Sequence, residues 1–113
     1  GIRIEYHSDK MSIESYADFL QKRKGMVIYL DERGETLDSI EFSNRVQAWK
    51  MAGEETHLAI GPAQGWPNTK MPHQANRLSL SKMTYPHELA SVLLVEQLYR
   101  ATEILRGTAY HKS

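Results

Sequence analysis

An uninterrupted apolar run, "MVIYL" at residues 26–30, most constrains how this chain can fold. Such a run is typical of a strand buried on both faces, and such strands belong to parallel sheets covered by helices. Three further strands are predicted at residues 2–6, 56–60 and 77–81. Helical patterns separate the strands, so we predict an α/β fold with a mainly parallel sheet flanked by helices.

The helices carry recognisable start and stop residues. Ser12 is the predicted N-cap of the first helix, and Gly25 is predicted to stop it after the basic run at residues 22–24. That run is interpreted as a solvated helix end. Asp38 is predicted to cap the second helix, with Glu41 completing a capping box.

The apolar positions of the later helices predict which faces are buried. In the second helix the predicted inward residues are Ile40, Phe42, Val46 and Trp49. The third helix follows Pro86 and ends near Gly107. Its predicted buried stripe consists of Leu89, Val92, Leu93, Leu98 and Leu105.

Length and composition restrict the class of protein. A chain of 113 residues, 41% hydrophobic and 25% charged, fits one globular domain over residues 1–113. It has no cysteine, no run long enough to span a membrane, and no histidine pair at metal-ligand spacing. We therefore expect no metal site, no membrane partner and a cytoplasmic protein. The formal net charge of zero means that any contact with nucleic acid would need a local basic patch.

Three strands are followed by small or polar segments at residues 31–34, 61–65 and 81–84. In open α/β sheets, ligands bind outside the carboxyl ends of strands, so these segments predict one pocket. Residues 31–38 are predicted to be a polar loop in which Asp31, Glu32 and Arg33 form a solvated ion-pair turn. Trp66 is interpreted as a lid or an interface anchor.

The residues of this pocket leave alternatives open. Gly61 and Gly65 either let the backbone approach a ligand or serve turns. Ser81, Lys82 and Thr84 either bind a ligand, mostly through main-chain groups, or the two hydroxyls cap the chain before the third helix.

A cationic and aromatic group lies near the carboxyl terminus. It consists of Arg100, Arg106, Tyr110, His111 and Lys112. Such a group can grip RNA phosphates and stack on an unpaired base. Composition alone favours the simpler interpretation, a frayed tail.

Four motifs occur in order: "YLDERG", "IGPAQG", "LSLSKMTYPHELASVLLVEQLYRA" and "ILRGTAYHKS". From about Met26 to its end, the chain resembles the ribosomal large-subunit RNA pseudouridine N3-methyltransferase family, which belongs to the SPOUT class of knotted methyltransferases. The resemblance implies a deep trefoil knot in the C-terminal half, a homodimer, and S-adenosylmethionine as the methyl donor.

The resemblance also implies roles for individual residues. Leu30 should contact the cofactor, and Gly61 should approach it through its backbone. The segment that should wrap the cofactor comprises Leu80, Ser81, Lys82, Met83, Thr84 and Tyr85. The tail residues Tyr110 and His111 should form the catalytic part of the site, and Lys112 should bind substrate. Arg100 and His87 match family positions with substrate-binding or supporting roles.

The implied reaction is methylation of N3 of a pseudouridine in a hairpin of large-subunit rRNA on the assembled ribosome. The enzyme would hold N3 in line with the activated methyl group. Either His111 or water would accept the N3 proton.

Two features depart from the family pattern. Pro62 stands where the family usually has a second glycine, which removes one backbone N–H. The segment before Met26 is shorter than in typical members and lacks a strand–helix unit. An alternative hypothesis is therefore a truncated or engineered knotted dimer that binds cofactor or RNA without turnover. A third hypothesis is a plain RNA-binding module that uses Arg100, Arg106 and the tail.

Overall fold

The computed structural model describes residues 1–7, 10–62, 65–67, 76–79 and 91–107, together with the backbone of residues 87–90. The elements are β1 (Ile2–Tyr6), α1 (Ile13–Gln21), β2 (Met26–Thr36), α2 (Ser39–Met51), β3 (Thr56–Ile60), β4 (Asn76–Ser79) and α3 (His87–Leu105). The described strands form a parallel sheet in the order β1-β3-β2-β4. The predicted α/β class is therefore confirmed, while the knot stays a prediction because residues 68–75 and 80–86 lie outside the described part.

Helix α1 begins as its sequence predicts and ends earlier. The Ser12 hydroxyl accepts a hydrogen bond from the Ser15 N–H at 3.1 Å, which confirms the N-cap. The helix stops at Gln21, and the chain turns through Gly25 at φ 98°. The prediction that residues 22–24 are a solvated helix end is wrong for Arg23, which is half-buried and forms an ion pair with Glu5.

Helix α2 carries the predicted capping box. The Glu41 N–H donates to Asp38 Oδ1 at 2.7 Å, and the Asp38 N–H donates to Glu41 Oε1 at 2.9 Å. Phe42, Val46 and Trp49 are buried as predicted, but Ile40 is 45% exposed. Ile40 lies two residues from Phe42, which is about 200° around a helix, so the two cannot share a face.

Strand β2 is longer than the apolar run that predicted it. It continues to Thr36, and after an irregularity between Leu30 and Glu35 it pairs with β4 again. The predicted polar loop at residues 31–38 is therefore wrong. Gly34 allows β2 to continue beside β4, because its backbone passes close to the backbone of β4. A side chain there would clash, since a Cβ on Gly34 would lie 2.6 Å from the Arg77 carbonyl carbon.

The sheet separates two apolar cores. Helices α2 and α3 cover one face, where Ile28, Leu58 and Leu78 pack with buried residues of both helices. Helix α1 covers the other face through Tyr16, Ala17 and Leu20, which pack with Tyr29, Ala59 and Trp66. The alternation of side chains along each strand assigns them to the two cores.

The buried stripe of α3 differs in part from its prediction. Leu94 and Ala101 are fully buried, and Leu98 and Leu105 pack against them half-buried. Val92 is 63% exposed, so its predicted burial is wrong. Val92 is two residues from Leu94 and therefore lies on the opposite side of the helix. The Leu89 side chain lies outside the described part.

Candidate functional site

Three neighbouring strands meet at one level of the sheet, where β3 and β4 near their carboxyl ends and β2 reaches its irregularity. Leu30 on β2 pairs with Ile60 on β3 and with Leu78 on β4. Gly61 directly follows Ile60, so it lies beside Leu30 at the same edge of the sheet. These are the two predicted cofactor contacts that the structure describes. The predicted contacts at residues 80–85 follow β4 and lie outside the described residues.

Trp66 fills the space between β2 and α1. It is 4% exposed, and its indole N–H donates to the Leu30 carbonyl at 2.8 Å. Its ring stacks on Tyr16 with centroids 5.6 Å apart and meets the edge of Tyr29 at 5.1 Å. The interpretation of Trp66 as a lid or interface anchor is therefore wrong, because its ring is part of the core.

The two glycines that bracket the segment after β3 have different uses. Gly65 takes φ 83°, and its N–H donates to the Pro62 carbonyl at 2.9 Å, so it serves a turn. Gly61 serves a close approach: a Cβ there would lie 2.9 Å from Trp66 Cε2. Among the described residues, the neighbour that requires glycine at position 61 is the Trp66 ring. In this turn Pro62 accepts a hydrogen bond through its carbonyl oxygen. Because only the carbonyl is used, the backbone N–H that proline lacks is not needed here.

Asp31 and Arg33 form an ion pair within β2, not the solvated turn that was predicted, because Asp31 is buried while Arg33 remains partly exposed. The Asp31 side chain is 3% exposed. Arg33 donates from Nε to Asp31 Oδ1 at 3.0 Å and from Nη2 to Oδ2 at 2.9 Å. The Arg33 N–H also donates to Oδ1 at 2.9 Å. Such a bidentate pair fixes the plane of the guanidinium group.

The environment of Asp31 keeps its carboxyl ionised. Burial raises the pKa of Asp31, but hydrogen bonds from the Arg33 side chain and backbone, together with nearby positive charges, outweigh it and lower the pKa. The charges of Arg33 and Arg77 act in the same direction, with Arg77 Nε 3.8 Å from Oδ2. The pKa of Asp31 therefore lies below its ordinary value.

Arg33 also connects this pair to Trp66. Its Nη2 donates to the Trp66 carbonyl at 3.0 Å. The sequence interpretation missed this connection. One usable signal was the alternation along β2, which places Asp31 on the same face as Val27 and Tyr29, where α1 packs.

The predicted substrate-binding residues are described only in part. Arg100 lies on α3, where its Nη2 and Nε donate to Glu96 Oε1 at 2.9 and 3.2 Å. Arg106, one residue before the described end, pairs with Glu103 at 3.3 Å. His87 is the first residue of α3. The predicted catalytic residues Tyr110 and His111, and the predicted substrate contact Lys112, lie outside the described residues.

A second polar cluster lies on the α1 face of the sheet. Buried His57 on β3 has its Nδ1 2.7 Å from Glu5 Oε2 and 3.1 Å from Arg23 Nη1. The Tyr16 hydroxyl is buried with no hydrogen-bond partner among the described residues. Burial, followed by the charge of Glu5, raises the pKa of Tyr16. This cluster ties β1, β3 and the end of α1 together.

The described residues contain neither a metal-binding group nor a membrane-spanning helix. Within the ranges given above, no group of three acidic, histidine or cysteine side chains is placed to hold a metal ion. None of the described helices has the length and apolar character needed to cross a membrane.

Comparisons with known proteins match this chain to methyltransferases. A family model described as a predicted SPOUT methyltransferase matches residues 4–111. The chain is 45% identical over 86 residues to ribosomal RNA large subunit methyltransferase H of Anaeromyxobacter dehalogenans (strain 2CP-C), covering 76% of this chain and 56% of that protein.

Proteins of the same name from other bacteria are similar as well. The one from Cereibacter sphaeroides (strain ATCC 17029 / ATH 2.4.9) is 40% identical over 103 residues, or 88% of this chain and 66% of that protein. The one from Kosmotoga olearia is 41% identical over 99 residues, or 87% of this chain and 63% of that protein. The chain thus spans less than two thirds of the length of these curated relatives.

Proposed function

This chain belongs to the SPOUT methyltransferase family, and from that membership we propose that it methylates large-subunit ribosomal RNA with S-adenosylmethionine as the donor. The proposed acceptor is N3 of a pseudouridine, as the sequence resemblance implies. The observation that carries the proposal is the match of the family model across residues 4–111. The names of three relatives, each at least 40% identical to the chain, support ribosomal RNA as the substrate.

The edge of the sheet fits such a cofactor. Leu30, the last residue of β2 before its irregularity, pairs with Ile60 at the carboxyl end of β3, and Gly61 follows Ile60. Ligands of α/β folds bind next to such strand ends. Leu30 is a half-buried apolar residue at this place, of the kind an adenine ring packs against, and Gly61 contributes backbone without a side chain. We propose that Leu30, Gly61 and residues 80–85 hold the cofactor there.

When bound, S-adenosylmethionine supplies a methyl group already activated by its sulfonium charge, so the enzyme needs no covalent intermediate. The protein's task is then to orient the acceptor nitrogen and to manage its proton. We propose that Tyr110 and His111 form this part of the site. His111 or water takes the proton from N3 as the new N–C bond forms.

The RNA contacts are proposed to be local. With a formal net charge of zero, the protein has no overall positive field to attract RNA. We propose that Arg100, His87 and Lys112 contact the substrate, which is large-subunit rRNA in the assembled ribosome. In the structure Glu96 orients the Arg100 guanidinium, so a phosphate would compete with this carboxylate.

A homodimer is proposed through α3. Val92, Val95 and Tyr99 follow one another at helical spacing and are 63%, 53% and 55% exposed. Their helix is anchored to the sheet by Leu94 and Ala101 on another face, so an apolar stripe points away from the core. A second copy of the chain would cover it. We further propose one domain over residues 1–113, a trefoil knot that includes residues 80–86, and a cytoplasmic location.

Two measurements test the proposed function. Isothermal titration calorimetry of the purified chain with S-adenosylmethionine should show binding, whereas no heat at high micromolar ligand would contradict it. Radiolabelled methyl transfer should then be measured on ribosomes that lack the modification, with modified ribosomes as the control. Binding without transfer to unmodified ribosomes would favour a protein of this fold that binds cofactor but does not turn over.

A further inference from the structure

Trp66 is fastened to β2 at two points. Its indole N–H donates to the Leu30 carbonyl at 2.8 Å, and its own carbonyl accepts from Arg33 Nη2 at 3.0 Å. One bond holds the side chain and the other holds the main chain. Trp66 therefore cannot shift along β2 or rotate its ring without losing one of them.

The donor of the second bond is itself oriented. Asp31 accepts from Arg33 through both carboxylate oxygens, at 3.0 and 2.9 Å, and it is buried. Because a bidentate pair fixes the guanidinium plane, the Nη2 proton has a defined direction toward Trp66. Asp31 thus orients Arg33, and Arg33 in turn holds the main chain of Trp66.

Trp66 in turn touches both described residues of the proposed cofactor site. Its indole N–H donates a hydrogen bond to the Leu30 carbonyl. Its ring packs against Gly61, so that a Cβ added to Gly61 would lie 2.9 Å from Trp66 Cε2. The turn between Pro62 and Gly65 brings the chain back toward β2 so that Trp66 reaches this place. The position of Trp66 therefore determines which main-chain surface of Leu30 and Gly61 faces a ligand.

We propose that Arg33 and Trp66 are positioning residues for the cofactor, acting through Leu30 and Gly61 without touching the reacting atoms. This inference rests on the proposed function and names two side chains that would shape the cofactor pocket. The simpler explanation is that Trp66 only packs between Tyr16 and Tyr29 and stabilises the fold. The two explanations differ in what happens to ligand affinity in variants that remain folded.

Two conservative variants separate packing from positioning. Trp66→Phe keeps an aromatic ring between Tyr16 and Tyr29 but removes the indole N–H. Arg33→Lys keeps the positive charge but cannot form the bidentate pair with Asp31 together with the bond to Trp66. Arg3→Lys is the matched control, because Arg3 lies on the edge strand β1 and pairs with Glu55, which precedes β3, away from the proposed cofactor site.

Calorimetry with S-adenosylmethionine is done at a temperature where all four proteins are fully folded. Trp66→Phe and Arg33→Lys should each raise the dissociation constant by about tenfold, as the loss of a positioning hydrogen bond would. Arg3→Lys should bind like the wild type. Wild-type affinity in both site variants overturns the inference, since a purely structural role would change stability and not the affinity of folded protein.

A second readout does not depend on the cofactor. The hydrogen exchange of the Trp66 indole N–H is followed by NMR, with the Trp49 indole in the other core as an internal reference. Arg33→Lys should speed exchange at Trp66 and leave Trp49 unchanged. If the wild type binds no S-adenosylmethionine, the proposed function has failed, whereas unchanged exchange at Trp66 in Arg33→Lys overturns the positioning role itself.

Discussion

Gly61 has no room for a side chain because Trp66 cannot move away. A Cβ on residue 61 would lie 2.9 Å from Cε2 and 3.2 Å from Nε1 of Trp66. The indole is held by Tyr16, Tyr29 and the Leu30 carbonyl, so the ring has no alternative position that keeps these contacts. The requirement for glycine at this strand end therefore comes from the fold as well as from any ligand.

Gly61→Ala should lower the free energy of unfolding by about 1–3 kcal/mol, the usual cost of overpacking a core. Gly53→Ala is the matched control, since nothing lies within 4 Å of the Cβ that it would gain. The control should change stability little, or raise it by about 0.4–1 kcal/mol by restricting the unfolded chain. Urea denaturation measures both, and equal effects of the two variants would contradict the role given to Trp66.

The ion pair of Asp31 predicts a pH dependence of stability. Its folded pKa lies below its unfolded value, so the unfolded chain takes up the proton first as the pH falls. The stabilisation from the ionised carboxylate is complete above the unfolded pKa, about 3.9, and is lost as the pH falls through the folded pKa.

The free energies of unfolding of the wild type and Asp31→Asn should therefore converge at low pH. At pH 6 the wild type should be the more stable, because the variant leaves Arg33 without an anionic partner at this place. Between pH 4 and pH 2 that advantage should shrink, as measured by urea denaturation at each pH. A constant difference across this range would show that Asp31 titrates equally in both states.

At the scale of elements, periodicity predicts the regular strands and helices well. Strands β1 and β3 have the predicted bounds, since each is a short run in which local pattern and tertiary environment agree. The second half of β2 could not be predicted, because its residues are polar and it pairs with β4 only through a close backbone approach at Gly34. No local pattern encodes that approach.

The same limit applies to the candidate site. Motif resemblance predicts Leu30 and Gly61 as cofactor contacts, and the register pairs Leu30 with Ile60, the residue before Gly61. The bonds that shape this edge join residues 33 and 36 positions apart, from Arg33 and Leu30 to Trp66. Such contacts depend on how the whole sheet is assembled, so a single sequence does not specify them.

The extension of β2 provides a test at this scale. Gly34→Ala would place a Cβ 2.6 Å from the Arg77 carbonyl carbon and 2.7 Å from the Leu78 nitrogen. Both atoms are backbone in a paired strand, so relief requires β4 to move away from β2. We expect a loss of about 1–3 kcal/mol in unfolding free energy.

Amide hydrogen exchange locates the effect of Gly34→Ala. The amides of β4 should exchange faster than in the wild type, whereas the β1–β3 pairing on the other side of the sheet should be affected less. Gly53→Ala again serves as the control, and wild-type exchange in β4 of Gly34→Ala would contradict the pairing of the extension.

At the scale of the whole molecule, the two faces of the sheet have different partners. Helix α1 and Trp66 close one face next to the proposed cofactor edge. Helices α2 and α3 close the other, and α3 carries the exposed stripe of Val92, Val95 and Tyr99. A second copy on this stripe would bury apolar surface that a single protomer leaves exposed.

Placing charge on that stripe should separate the proposed dimer without unfolding the chain. Val92→Glu combined with Val95→Glu buries two carboxylates in each protomer's contact, so sedimentation equilibrium should show the dimer dissociation constant rising by at least about a hundredfold. The melting temperature measures whether the fold persists, and Met51→Glu on α2, where the side chain is 77% exposed, is the control for added charge. The control should sediment like the wild type. A wild-type chain that is monomeric at micromolar concentration, or a double variant that remains dimeric, would contradict a dimer through α3.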